Sequence, residues 1–389
     1  MSEASFRALR PIDVDTHITE PPDVWTARVS RKWGDRVPHI VTIDGDDLWY
    51  IGDEPLLSPA SVTMAGFDGS PPDHPKGYAE IPASSYDARA RLAHMDAEGI
   101  YAQVLYPNVG GFGSGTYLRL GDPELALECV RAYNDFLVEW ASADPQRLLP
   151  VAALPFWDLP AALREVERCA RIGHRSINFC TNPEHHGEPP LRAPHWDPLW
   201  AAIQETGLPV SFHIGGGDTS DLVQDRAGIG MRANMARASS LQFVGNAHCV
   251  AELIFGGVCH RFPSLRLVSV ESGVGWLPAY LEGADWQWTN MQVRKEHPEY
   301  DLLPSEYFQR QIYSCFWFEQ YVLPAAIERY PDNVLWESDF PHPTCQHPGL
   351  SDGWAVHPAE YADKALAGLA PATRRKVLHD NAAALYRIA

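Results

Sequence analysis

Asp15 and His17 stand two residues apart at the end of the stretch Ile12-Asp13-Val14-Asp15-Thr16-His17, and Glu20 follows three residues later. The first half of this stretch reads as a short buried strand. The two-residue pleat turns the Asp15 and His17 side chains to one face. A carboxylate and an imidazole projecting together from a strand end are two legs of a metal site. Three further segments carry the same chemistry. His213 ends Leu208-Pro-Val-Ser-Phe-His, Glu271 opens Glu-Ser-Gly-Val-Gly-Trp276, and Asp339 lies in Trp336-Glu-Ser-Asp-Phe-Pro-His342. Imidazole nitrogen and carboxylate oxygen suit a divalent first-row ion such as Zn, Mn or Fe.

For these groups to meet, the chain must bring several strand ends to one place. Short apolar strands alternate with helical stretches along most of the 389 residues. Strands are expected at 12–17, 102–106, 149–154, 176–179, 210–213, 265–271, 311–315 and 333–339. Helices are expected at 123–141, 160–172, 198–206, 240–262, 322–329 and 371–388. Eight strands with helices between them predict a parallel (β/α)8 TIM barrel, and the length suits one such domain with insertions. In that fold all strands run the same way, so their C-terminal ends share one mouth. The insertion spans 39–84. Its first part, 39–58, reads as a β-hairpin turning at Asp44-Gly45-Asp46, and 59–84, rich in Pro, Gly and Ser, reads as a loop near the barrel mouth. The Gly-rich run Asn108–Tyr117 is expected to be a mobile loop after the second strand. Its spacing is wrong for a dinucleotide fingerprint.

Charge and composition narrow the function classes. Net charge is −19, with 50 acidic against 31 basic residues, which argues against nucleic acid or an anionic membrane as partner. The hydrophobic fraction of 45% is ample for a large core, and the thirteen Trp residues could line an apolar pocket as well as fill it. The seven Cys residues form no CxxC pair, the N-terminus has no apolar leader, and no stretch approaches a membrane span. A reduced, cytoplasmic protein is expected.

Taken together, Asp15-Thr-His17, Met95-Asp96-Ala-Glu98-Gly99-Ile100, Leu208–His213, Phe255-Gly-Gly-Val-Cys-His-Arg-Phe-Pro263 and Ser338–His342 make the chain similar to the amidohydrolase superfamily. The resemblance is to the branch of aminocarboxymuconate semialdehyde decarboxylase and γ-resorcylate decarboxylase, and it covers almost the whole chain. It implies that Asp15, His17, His213 and Asp339 hold a divalent metal. Two departures stand out. Asp15 takes the place of the first His of a His-x-His pair, and Glu271-Ser-Gly replaces a His-Gly-Gly run whose His moves protons.

Glu20, Glu271 and His342 are then surplus to one ion. Either they brace the ligands, or they help hold a second metal, since crowded carboxylates must be neutralised by protons or cations. The leading expectation is a metal-dependent hydrolase or non-oxidative decarboxylase of a small organic carboxylate or amide. Asp339, Glu271 and His342 are its catalytic candidates, and Arg89 and Arg91 are available to grip a carboxylate. The alternative is a dinuclear non-haem iron monooxygenase drawing electrons from a separate reductase. Members of the branch are often dimers.

Overall fold

A computed structural model describes residues 3–216, 224–349 and 353–388. Eight strands pair in parallel, each with the next in the chain: β1 (Ile12–His17), β5 (Ala102–Tyr106), β6 (Leu148–Ala153), β7 (Ser176–Asn178), β8 (Val210–His213), β9 (Leu267–Val270), β10 (Ile312–Phe316) and β11 (Val334–Trp336). The circle closes just beyond β11. The Asp339 N–H donates to the Asp15 carbonyl (3.0 Å), the His17 N–H donates to the Phe340 carbonyl (2.7 Å), and Thr16 bridges Phe340 in parallel. This is a TIM barrel, and its helices include Pro123–Ala141, Leu159–Ile172 and Asp197–Thr206, each begun with a proline in its first turn.

Ile12, Val14, Val104, Tyr106, Val151, Val268, Val270, Cys315 and Leu335 pack into one buried apolar cluster, joined by Leu385 and Tyr386 of the C-terminal helix Asn381–Tyr386. Every residue of β1 is buried, so its polar side chains must all find partners or ions inside the protein. The seven cysteines are buried and unpaired. Among the described residues no helix is long and apolar enough to cross a membrane.

One irregularity in β1 prepares the site. Asp13 faces Gln103 across the ladder, but Thr16 faces Leu105, so β1 carries one extra residue between them. In an unbroken pleat Asp13 and Asp15 would share a face. The bulge separates them, as bulges do when they re-aim a side chain. Asp13 bonds Gln103 and Ser338, whereas Asp15 joins His17.

The insertion departs from a hairpin. His39–Ile43 (β2), Asp46–Ile51 (β3) and Glu54–Leu57 (β4) form a three-stranded antiparallel sheet, with Asp44 and Gly45 at positive φ in its first turn. The third strand was not legible because Glu54-Pro55 reads as turn rather than strand. The following loop lies against the C-terminal ends of β1 and β11. Met64 and Ala65 donate to the Pro341 carbonyl, Thr63 meets Thr19, and the Tyr78 hydroxyl donates to the Glu20 carbonyl. The expected helix over 240–262 is broken. Gly245–Phe255 stops at Gly256-Gly257, and a short turn, Val258–Arg261, follows. A Cβ at Gly257 would lie 2.1 Å from the Tyr300 hydroxyl, and its φ is +72°.

Candidate metal centre

The mouth of the barrel gathers Asp15 and His17 from β1, His213 from β8, Glu271 just past β9, and Asp339 and His342 beyond β11. All six are buried. His17 Nε2 lies 3.4 Å from Asp15 Oδ1, 3.5 Å from Asp339 Oδ1 and 3.3 Å from His213 Nε2. His213 Nε2 lies 3.4 Å from Asp15 Oδ2 and 3.5 Å from Glu271 Oε2. His342 Nδ1 is 3.0 Å from Asp339 Oδ1. Adjacent ligands of a tetrahedral ion with bonds of ~2.1 Å stand about 3.4 Å apart, so these spacings are those of a coordination shell.

The outer nitrogens of the three imidazoles decide what the inner ones can do. His17 Nδ1 faces the Pro107 carbonyl (3.2 Å), and His213 Nδ1 faces the Ile214 carbonyl (2.7 Å). A carbonyl only accepts, so both Nδ1 atoms carry the proton and both Nε2 atoms present lone pairs inward. Asn108 Nδ2 donates to the Ile18 carbonyl (3.0 Å), which turns Asn108 Oδ1 toward His342 Nε2 at 2.8 Å. His342 Nε2 therefore carries its proton, and its Nδ1 faces Asp339 with a lone pair. Lone pairs and carboxylate oxygens confront one another with no hydrogen between them. Consistently, both oxygens of Asp15 and Asp339 Oδ1 are buried without a hydrogen-bond partner. Only a cation, either protons or a metal, can sit among them.

The electrostatics agree. Burial alone would raise Asp15 and Asp339. The imidazoles, His213 and His17 on Asp15 and His342 and His17 on Asp339, reverse this and hold both carboxyls below the usual range. Burial works against a charged His17, but Asp15 and Asp339 outweigh it and push its pKa up to about 9. Burial, and then Asp339 and Asp15, push Glu271 well up, and burial and Asp15 do the same to Glu337. The pocket holds more negative charge than its imidazoles can balance, and a divalent ion supplies that balance. The donor set fits one.

Two of these residues are held by unusual backbone. Glu271 and Asp339 have φ of +53° and +59°, a left-handed conformation that costs a non-glycine residue of order 1–3 kcal/mol. Strand β9 ends at Val270 and β11 at Trp336, so neither carboxylate continues its strand. The sharp turns aim them back over the mouth.

Glu20 is placed differently from the metal-ligand expectation. Its Oε1 accepts the Asn108 and Val109 N–H groups (2.8 and 3.0 Å), and burial pushes its pKa up to about 7. It fastens the loop that carries Asn108, and through Asn108 it fixes His342. Arg91 is also diverted. It is buried and donates to the Ser84 and His17 carbonyls, with its guanidinium over the Phe340 ring, while Arg89 is exposed. Neither offers a grip on a carboxylate at the mouth.

Sequence reasoning missed several contributors. Asn108 and Thr344 orient His342 and Asp339, the latter through a 2.8 Å hydroxyl bond. Buried Glu337 accepts the Glu271 N–H at 3.2 Å, and its place two residues before Asp339 in a strand-end segment is the signal that could have found it. Phe112, on the Gly-rich loop, stacks on His213 (4.0 Å between centroids, 21°) and meets His17 edge-on. His342 stacks on His17 at 3.6 Å.

Comparisons with known proteins bear on the family and the fold. The profile of the amidohydrolase family matches residues 12–388. A γ-resorcylate decarboxylase of Polaromonas sp. is 26% identical over 271 residues, covering 67% of this chain and 78% of that protein. The crystal structure of an amidohydrolase from Mycobacterium avium subsp. paratuberculosis superposes with a TM-score of 0.76 at 24% identity, covering 97% of this chain and 99% of that one. A dihydroxybenzoic acid decarboxylase from Polaromonas sp., solved with manganese and the inhibitor 2-nitroresorcinol, superposes with a TM-score of 0.60 at 19% identity, covering 97% and 96%. None of these three is named as an oxygenase. The dinuclear iron alternative finds no support in them, and Glu20, on which a second ion turned, is occupied elsewhere.

Proposed function

The chain belongs to the amidohydrolase family, and from that premise we propose that it is a divalent-metal-dependent, non-oxidative decarboxylase of a small hydroxylated aromatic carboxylate. The observation that carries this reading is the set of buried lone pairs and carboxylate oxygens with no proton between them: Asp15, His17, His213 and Asp339. These residues would hold the ion, and manganese, bound by the Polaromonas decarboxylase, is the metal of choice. A divalent ion bound there supplies Lewis acidity that draws in and neutralises the phenolate and carboxylate oxygens of such a substrate. Arg91 is committed to the Ser84 and His17 carbonyls and Arg89 is exposed, so neither side chain supplies a grip on the substrate carboxylate.

The remaining chemistry belongs to the protein. Non-oxidative decarboxylation needs a proton delivered to the ring carbon that bears the carboxylate. The C–H bond forms, the electron pair of the C–CO2 bond returns to the ring, and CO2 leaves. Glu271 is placed to give that proton. Its side chain is 12% exposed, whereas those of Asp15, His17, His213 and Asp339 are fully enclosed, so it meets the opening. Asp339 stays a ligand, steadied by Thr344, and His342, pinned by Asn108, turns its Nδ1 lone pair toward the same centre beside Asp339. Phe112 covers the His213 face and keeps water from it.

The test is CO2 release by manganese-loaded protein from a panel of 2-hydroxy- and 2,6-dihydroxybenzoates, alongside aryl amides. CO2 and the decarboxylated phenol in equal amounts are expected, with Glu271→Gln lowering kcat at least 10²-fold while manganese is retained. Amide cleavage without CO2 release would overturn the reading, as would undiminished turnover by Glu271→Gln.

A further inference from the structure

Outside the barrel, a second cluster joins two imidazoles and a carboxylate. Glu98 ends the helix Ala88–Glu98, and His347 and His357 come from the segment after β11. His357 Nδ1 lies 3.0 Å from Glu98 Oε2, and His347 Nδ1 lies 4.0 Å from Glu98 Oε1. One donor atom from each of the three lies within 4.8 Å of the other two. Glu98 and His347 are half-buried, and His357 is the exposed member.

We propose that Glu98, His347 and His357 form a second divalent-metal site that fastens the segment carrying Asp339, His342 and Thr344 to the helix Ala88–Glu98. Two imidazole nitrogens and one carboxylate are a zinc donor set that leaves a position for water. His347 Nδ1 stands too far from Glu98 for a hydrogen bond, yet both His Nδ1 atoms turn to the same carboxylate. Adjacent ligands of a tetrahedral zinc stand about 3.4 Å apart, so ligation draws His347 in toward Glu98 by about 0.6 Å and moves His357 out by about 0.4 Å. Rotation of half-exposed side chains supplies that movement.

Burial favours the neutral form of His347, the form that gives a lone pair. The ring of His94, one helical turn before Glu98, lies 5.3 Å from that of His347, and the His347 ring lies 5.0 Å from that of His357. Burial lowers His347 and brings His94 down to about 3. The cluster also abuts the barrel mouth: His94 stacks on Phe340 at 4.4 Å, next to Asp339, and His347 meets the same ring edge-on. Zinc binding here would tie down the loop that presents Asp339 without touching the barrel ion.

The test is equilibrium dialysis of the holoenzyme against zinc chloride, with every bound metal counted by mass spectrometry. Wild type is expected to hold one more metal ion per chain than His357→Ala. His213→Ala should lose the barrel ion and keep the outer one. Zinc should raise the wild-type Tm by several degrees relative to His357→Ala. Because His357 is exposed, its removal spares the fold, and Glu98→Gln, close in shape, reports the same loss independently. Equal metal counts in wild type, His357→Ala and Glu98→Gln would overturn the proposal. A change confined to His213→Ala would leave the barrel site standing and the outer one refuted.

Discussion

Replacing Asp13 with alanine tests how the barrel is closed around its site. Asp13 is fully buried and accepts from the Ser338 N–H (2.8 Å), the Ser338 hydroxyl (2.6 Å) and Gln103 Nε2 (3.2 Å). Alanine leaves the backbone N–H and the amide without acceptors, while the hydroxyl can rotate away. Each orphaned buried donor costs about 1–3 kcal/mol, so Asp13→Ala is expected to lose about 4 kcal/mol in all. With m of about 3 kcal/mol/M, the urea midpoint should fall by about 1.3 M. Ser338 also precedes Asp339, whose N–H closes the ring on the Asp15 carbonyl. Loosening it should therefore weaken metal binding about 10–100-fold, the usual effect of losing a ligand's support. Urea titration followed by tryptophan fluorescence reads the first effect, and competition with a metal-sensitive dye reads the second. Asp13→Asn keeps an oxygen for the Ser338 N–H and should recover most of both. A wild-type midpoint and wild-type metal affinity in Asp13→Ala would refute the account of the seam.

Other outcomes follow from the same geometry. Asn108→Ala removes the acceptor that sets the His342 tautomer, so metal affinity should drop by about 10-fold with little change in Tm; an unchanged affinity would show that His342 does not face the ion through Nδ1. Phe112→Ala uncovers His213, and stopped-flow chelation should show the ion leaving several-fold faster than from wild type. His174, buried against the Asn134 carbonyl, has its pKa lowered by burial from 6.5 to about 4. Only the unfolded chain then takes up a proton between those values, so stability is full above about pH 6.5 and is lost as pH falls toward 4. The loss amounts to about 2 kcal/mol at pH 5. His174→Gln should flatten the fall in Tm from pH 7 to pH 5, and an unaltered slope would exclude His174 as its source.

Much of the fold was legible because barrel strands are short, apolar and bounded by turn residues. Strands 12–17, 102–106 and 210–213 and helix 123–141 stand where the pattern put them. The departures have local causes. The β1 bulge has no sequence mark, since Asp13 and Asp15 look equivalent until Ser338 and Gln103 are folded against the first of them. Asp339 was assigned to a strand that ends at Trp336, because a left-handed turn at an aspartate is set by tertiary contacts. Glu20 and Arg91 have the charges of site residues but are used to hold loops, and only distances reveal that. His342, conversely, gained weight from its stack on His17 and its lone pair toward Asp339, which no spacing in the chain could show.

The central claim is that the inward-facing lone pairs of His17 and His213 share a divalent ion with Asp15 and Asp339. The most direct measurement is the metal content of protein purified without chelator and reloaded with manganese, compared with Asp15→Ala prepared the same way. Wild type is expected to hold manganese at the barrel mouth and Asp15→Ala to lose it, together with CO2 release. Equal manganese in both proteins, or full activity in the metal-free wild type, would contradict the account.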